Sequence, residues 1–138
     1  MEASKDMDRV IDVLMLAGTL LLESGSEIHR VEDTMIRIAH SQGIDDCNAL
    51  AMPVAIFFSI ENANITRMKR ILRINYNIEK VCDVNQISRQ LVSGHINLDE
   101  AYQALIQLKQ KSVPYTNLQL TIAATLSAPF FSIMFGGN

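Results

Sequence analysis

Apolar residues recur at helical spacing in four stretches of the chain and crowd into a short β-like region between the second and third. Residues 5–23 form the first predicted helix, with Val10, Leu14, Ala17 and Leu21 on one face and Ser4 placed as its cap. Gly25 suits the left-handed position that ends a helix. Ser24 or Ser26 is then positioned to cap a second helix over residues 27–41, and Ser24-Gly25-Ser26-Glu27 has capping-box spacing. Ile28, Val31, Met35 and Ile38 share its apolar face, and Gly43 stops it.

Residues 48–52, 54–61 and 67–75 read as three strands, with Glu61-Asn62-Ala63-Asn64 as a turn and Pro53 as a break between the first two. Strand alternation over 67–75 puts Arg67, Lys69 and Arg73 on one side. Arg70 joins Met68, Leu72 and Ile74 on the other, the side the pattern assigns to the core. Residues 79–93 are helical again, with Val81, Val84, Ile87 and Leu91 in phase and Gly94 as the stop. Asn97 then caps a last soluble helix, with Glu100 at the box position and Ala101, Leu105 and Leu108 as its stripe.

Charge changes this picture at the end of the chain. None of the 12 Lys and Arg or 15 Asp and Glu residues lies beyond Lys111. Residues 116–135 read TNLQLTIAATLSAPFFSIMF, a length that spans roughly 30 Å as a helix, the thickness of a bilayer's hydrocarbon core. Ala124 and Ala128 offer a small-xxx-small packing face, Pro129 is commoner in membrane helices, and Tyr115 sits where an interfacial aromatic would. A buried C-terminal helix of a soluble fold is the competing reading. The chain closes on Phe135-Gly136-Gly137-Asn138 as though cut from something longer.

The expected fold is therefore α+β: two helical hairpins flanking a small three-stranded sheet, followed by a C-terminal transmembrane helix. Residues 1–111 form a cytoplasmic domain and residues 112–138 a first, truncated transmembrane helix. Lys109 and Lys111 beside that helix place the preceding domain on the cytoplasmic side. Leu14 to Leu22 is apolar enough for a secretory core, but Asp6, Asp8 and Asp12 crowd its front and no cleavage site follows.

Composition narrows the classes further. At 138 residues and 49% hydrophobic the chain has material for about one domain with a core. A net charge of −3 gives no basic footprint for nucleic acid. Cys47 and Cys82 form no CxxC pattern, so a reduced compartment is the default.

Glu23, Glu27, His29, Arg30, Glu32 and Asp33 crowd one helix start. His29 and Asp33 share a face, with Glu32 nearby, in an arrangement open to a metal, to a polar functional or interface site, or to plain solvation of a helix N-terminus. With no second ligand set, no metal, cofactor or catalytic residue is assigned. Arg67, Lys69, Arg70 and Arg73 are the one basic concentration. An arginine among core-facing residues needs an acid, so Arg70 is expected to pair with the 23–33 segment; capture of an anionic solute is the alternative. Together with Arg70 and Arg73, the six residues make the candidate cluster. A soluble hydrolase-like enzyme using that segment with Ser24 or His29 is the second functional hypothesis. It requires a deep pocket joining those residues to Arg70 or Arg73. The nucleophile-elbow and phosphate-loop motifs are absent from the sequence, and the seven Met residues read as core filler.

Ala17-Gly18 followed by Leu21-Leu22-Glu23-Ser24-Gly25-Ser26-Glu27-Ile28-His29-Arg30-Val31-Glu32-Asp33-Thr34-Met35 resembles the opening of the threonine/serine exporter family. In order there follow Met52-Pro53-Val54-Ala55-Ile56 (Val54 where the family commonly has Thr), Arg70-Ile71, Arg73, Asn77-Ile78, Lys80-Val81 and Val84-Asn85. Ile87-Ser88-Arg89, Gly94, Glu100-Ala101, Leu105 and Phe135-Gly136-Gly137 complete the likeness, which covers nearly the whole chain. The resemblance implies a membrane exporter of threonine and serine, with dicarboxylate export in a split relative. Its cytoplasmic N-terminal domain would support assembly, gating or regulation. The implied partners are the membrane, the remaining transmembrane part or a second membrane subunit, a small-molecule solute and another copy of the chain.

Overall fold

The computed structural model describes residues 2–111, which form α1 (Glu2–Glu23), α2 (Ile28–Ser41), β1 (Cys47–Met52), β2 (Ala55–Ile60), β3 (Ile65–Arg70), α3 (Ile78–Val92) and α4 (Leu98–Lys111). The α+β class and the order of elements are those the sequence predicts. The expected membrane helix at 112–138 lies outside the described residues. Among the described residues, no helix is long and apolar enough to cross a membrane.

The two hairpins flank the sheet in sequence but not in space. The sheet is a simple antiparallel meander, β1-β2-β3. One of its faces lies on α1 and α2, while α3 and α4 pack on those helices and on each other. α1 is the central element, touching α2, α3, α4 and β2. Its wide apolar surface explains this position: Ile11, Val13, Leu14, Leu20 and Leu21 are all fully buried. Met35 and Ile38 of α2, Ile56 and Phe58 of β2, Val84 of α3 and Leu105 of α4 close the core around it. Each such side chain contributes on the order of 1.5–3 kcal/mol by leaving water. Gly18 permits a close approach inside the core: a Cβ there would stand 2.7 Å from Met35 Sδ and 3.4 Å from Ile56 Cδ1.

Local signals set the element ends, with three corrections. Asn97 and Glu100 form the expected capping box, Glu100 N–H donating to Asn97 Oδ1 (2.8 Å) and Asn97 N–H to Glu100 Oε1 (3.1 Å). Gly25 has φ +87°, as its helix-ending role requires. In contrast, α1 starts at Glu2, so Ser4 lies inside the helix and not at the position before it. Glu27, not Ser24 or Ser26, is the N-cap of α2, and it makes no side-chain cap bond. Ser24 is instead buried where α1 ends. Asn77, which the sequence reading does not assign as a cap, caps α3 by accepting from Lys80 N–H.

The third correction is the largest. β3 runs over Ile65–Arg70, and residues 71–77 form an extended connector. Ile71 N–H donates to Val54 O, after which Asn75 N–H reaches Glu23 O (2.7 Å) and Asn77 N–H reaches Ser24 O (3.0 Å). The connector thus leaves the sheet to satisfy carbonyls at the end of α1, which otherwise lack partners. Arg73 lies in this connector. The register puts Lys69 opposite Ile56 and Arg67 opposite Phe58, on the face turned to the helices. Met68 and Arg70 lie on the outward face, reversing the expected inward side.

Candidate functional site

The eight residues of the sequence-predicted cluster do not converge. Glu32 turns from α2 to the sheet, and its Oε2 accepts from Ala51 N–H at 2.9 Å, locking β1 onto α2. His29 lies 4.0 Å from Glu32 through Nδ1, with its side chain 96% exposed. Glu27 pairs loosely with Arg30 (3.8 Å), and Asp33 pairs with Arg37 (3.0 Å), one helical turn away. Such exposed pairs contribute little. Among the described residues, no three His, Cys, Asp or Glu side chains stand as a metal-ligand group.

Arg70 does not pair with the 23–33 segment: it is exposed and forms no ion pair with any of those six residues. The acid it was expected to meet is unnecessary because its face of β3 is not in the core. Arg73, in the connector, is exposed as well. Arg67 is the basic residue that crosses to the helices, where its Nη2 donates to Asp8 Oδ1 of α1 at 3.0 Å.

Glu23 enters a cleft of mixed charge that no other member of the cluster lines. The cleft is about 310 Å³ and runs between α1 and the free edge of β3, with Lys109 of α4 at its side. Asp12, Thr19, Glu23, Arg67, Lys69 and Lys109 are its polar lining; Ile11, Met15, Leu16 and Leu20 form its floor. Burial raises the Glu23 pKa above its ordinary 4.5, while Lys109, Lys69 and Lys80 pull it back. Burial lowers that of Lys80, opposed by the Glu23 carboxylate. Lys80 is only 6% exposed, so its stem belongs to the core between α3 and α1. Acidic and basic groups along one small cleft suit a zwitterion better than an ion of a single sign.

A second cleft, about 290 Å³, lies between α2 and α3. Arg30, Arg37 and Arg89 bring three guanidinium groups to it, with Asp33, Thr34, Asn85 and Ser88 beside them. Guanidinium forks match carboxylates, so this wall is suited to a small organic anion. Arg37, Asn85, Ser88 and Arg89 were not among the candidate residues. The readable signal was helical phase: Asn85, Ser88, Arg89 and Val92 recur at spacings of three and four on the polar side of α3. Neither cleft contains Ser24, His29, Arg70 or Arg73, so the pocket required by the hydrolase hypothesis is not formed there.

Chemistry alone leaves the two clefts as small, charged binding surfaces. The family model described as "Putative threonine/serine exporter" matches residues 12–138, more than nine-tenths of the chain. The chain belongs to the threonine/serine exporter family. A relative, "Probable threonine/serine exporter" from Mycobacterium tuberculosis (strain ATCC 25618 / H37Rv), is 20% identical over 134 residues. That alignment covers 94% of this chain and 25% of the relative, so the chain spans about a quarter of the length of the exporter it matches. No solved structure matches it. Membership of this family places the resemblance read from residues 17–35 onward on a match that includes both clefts and the uncharged tail.

Proposed function

We propose that this chain is the N-terminal region of a membrane exporter of threonine/serine-type amino acids or related small organic acids. Residues 1–111 act on the cytoplasmic side in assembly, gating or regulation, and residues 116–135 enter the bilayer. The observation that carries the reading is the family match through residue 138, which spans the folded domain and the uncharged stretch together. The mixed-charge cleft around Glu23 and the arginine-lined cleft between α2 and α3 support a regulatory role, because both suit solutes bearing a carboxylate. The remaining transmembrane part, or a second membrane subunit, completes the translocation path, since one helix cannot enclose one.

Two measurements test this. Expression of the chain with a C-terminal reporter should leave it in the membrane fraction after an alkaline wash; recovery wholly in the soluble fraction would overturn the membrane reading. An in-frame chromosomal deletion of the codons for residues 1–111 should lower threonine efflux from cells loaded with a threonine-containing dipeptide. Unchanged efflux would remove any role for the domain in export.

A further inference from the structure

The outward face of the sheet carries apolar side chains where a solvated face would carry polar ones. Leu50, Phe57 and Met68 line up across the three strands in register, and Leu50 and Met68 are 52% and 59% exposed. Val54, in the turn between β1 and β2, is exposed too. Beyond the sheet, Leu72 and Tyr76 of the connector and Ile78 at the start of α3 are at least 80% exposed, and Ile74 is partly so. Among the described residues, seven of the nine exposed large hydrophobic side chains fall between positions 50 and 78. Scattered surface leucines need no explanation, but a concentration on one sheet face and the segment that follows it marks an interaction surface.

Charge on the same stretch is one-sided. From residue 62 to residue 78 there is no acid, while Arg67, Lys69, Arg70 and Arg73 are all basic, in a protein whose net charge is −3. Arg70 lies on the apolar face itself, two positions from Met68 and from Leu72. A two-fold contact between copies through this face would set Arg70 and its neighbours against like charges. Apolar side chains, an exposed tyrosine and the exposed Arg70 and Arg73 instead match the boundary of an anionic bilayer.

The route of the chain agrees. Lys109, near the end of α4, lines the same cleft as Met68 and Lys69 of β3, so α4 ends close to this strand. The uncharged stretch begins directly after Lys111. Given the membrane reading proposed above, on which this rests, we infer that the outer sheet face and the connector dock onto anionic lipid headgroups. Leu50, Met68, Leu72 and Tyr76 reach the acyl boundary, and Arg70 and Arg73 meet the phosphates.

The test uses the full 138-residue chain in a Cys47→Ala/Cys82→Ser background, with a bimane label at Leu72→Cys, Tyr76→Cys or, as an off-face control, Tyr102→Cys. Each is reconstituted with phosphatidylcholine vesicles or with equimolar phosphatidylcholine–phosphatidylglycerol vesicles. Flotation first scores membrane association. In the anionic vesicles, lipids brominated on the acyl chain should quench the labels at 72 and 76 several-fold more than the label at 102. Aqueous iodide should quench those two labels less. Arg70→Glu/Arg73→Glu should return both labels to the control level while the chain still floats. A chain that floats but whose labels at 72 and 76 remain open to iodide overturns the docking inference alone. Labels shielded from both quenchers also overturn it, in favour of a protein cover such as residues 112–138 or a second copy. A chain that floats with neither vesicle overturns this inference and the membrane reading together.

Discussion

On the helix-facing side of the sheet, Ile56, Phe58 and Ile60 are buried against α1 and α2, yet β3 sends Arg67 and Lys69 to the same side. On the opposite side Leu50, Phe57 and Met68 form an apolar row, accompanied by Arg70, with no helix above it among the described residues. The inner face tolerates its charges because they lie at the sheet margin, where α1 supplies Asp8 to Arg67 and Glu23 attracts Lys69. The outer face has no such arrangement for its hydrophobic groups. Which residues share a face is a local property of the strand, whereas which face is covered depends on where a distant helix happens to pack.

The greatest contrast between the faces should come from truncation. Phe58→Ala removes a fully buried ring and should cost about 3–5 kcal/mol in urea unfolding. A loss below about 1 kcal/mol would mean that Phe58 is not packed in the core. Next, Glu32→Ala removes the carboxylate that accepts from Ala51 N–H, and should cost about 1–2 kcal/mol. Amide exchange at Ala51 should accelerate with it; unaltered exchange would show that α2 does not hold β1 through this contact.

A smaller effect is a slope with pH. Glu23 has a folded pKa raised above its unfolded value of 4.5, chiefly through burial. Below 4.5 the carboxyl is protonated in both states and carries no penalty. As pH rises from there through the folded value, the unfolded chain ionises first and stability falls. Glu23→Gln lacks that step, so the stability of the wild-type chain relative to the variant should decline across this acidic window and then level off. A difference that stays flat from below 4.5 to neutral pH would show that the Glu23 carboxyl is not desolvated. The smallest effect belongs to the outer side: Leu72→Ser should change stability by no more than about 0.5 kcal/mol. A large loss would place Leu72 in a packed environment within the isolated chain.

The elements were legible because helical periodicity is a short-range property: Val84 and Leu91, or Ala101, Leu105 and Leu108, announce their helices within a dozen residues and are all buried. The Asn97–Glu100 box was legible for the same reason. β3 was harder. Apolar alternation runs on past Arg70 through Leu72, Ile74 and Tyr76, so nothing local marks where the ladder stops; the connector departs because amides at 75 and 77 find carbonyls on α1. The candidate cluster is dispersed for a similar reason. Residues 23–33 are close in sequence, but Glu23 ends one helix while Glu32 and Asp33 lie on different sides of the next, facing β1 and Arg37. The cleft between α2 and α3 draws Arg30, Arg37 and Arg89 from two helices separated by the whole sheet. No spacing rule along the chain reaches that far.

The junction at the close of α1 has a mechanical corollary. The stretch that joins the sheet to the second hairpin is clasped there by two amides, at 75 and 77, and the Tyr76 ring lies so close over Gly25 that a Cβ would stand 2.3 Å from it. A tug on α3 is therefore borne by the tip of α1 before it reaches β3.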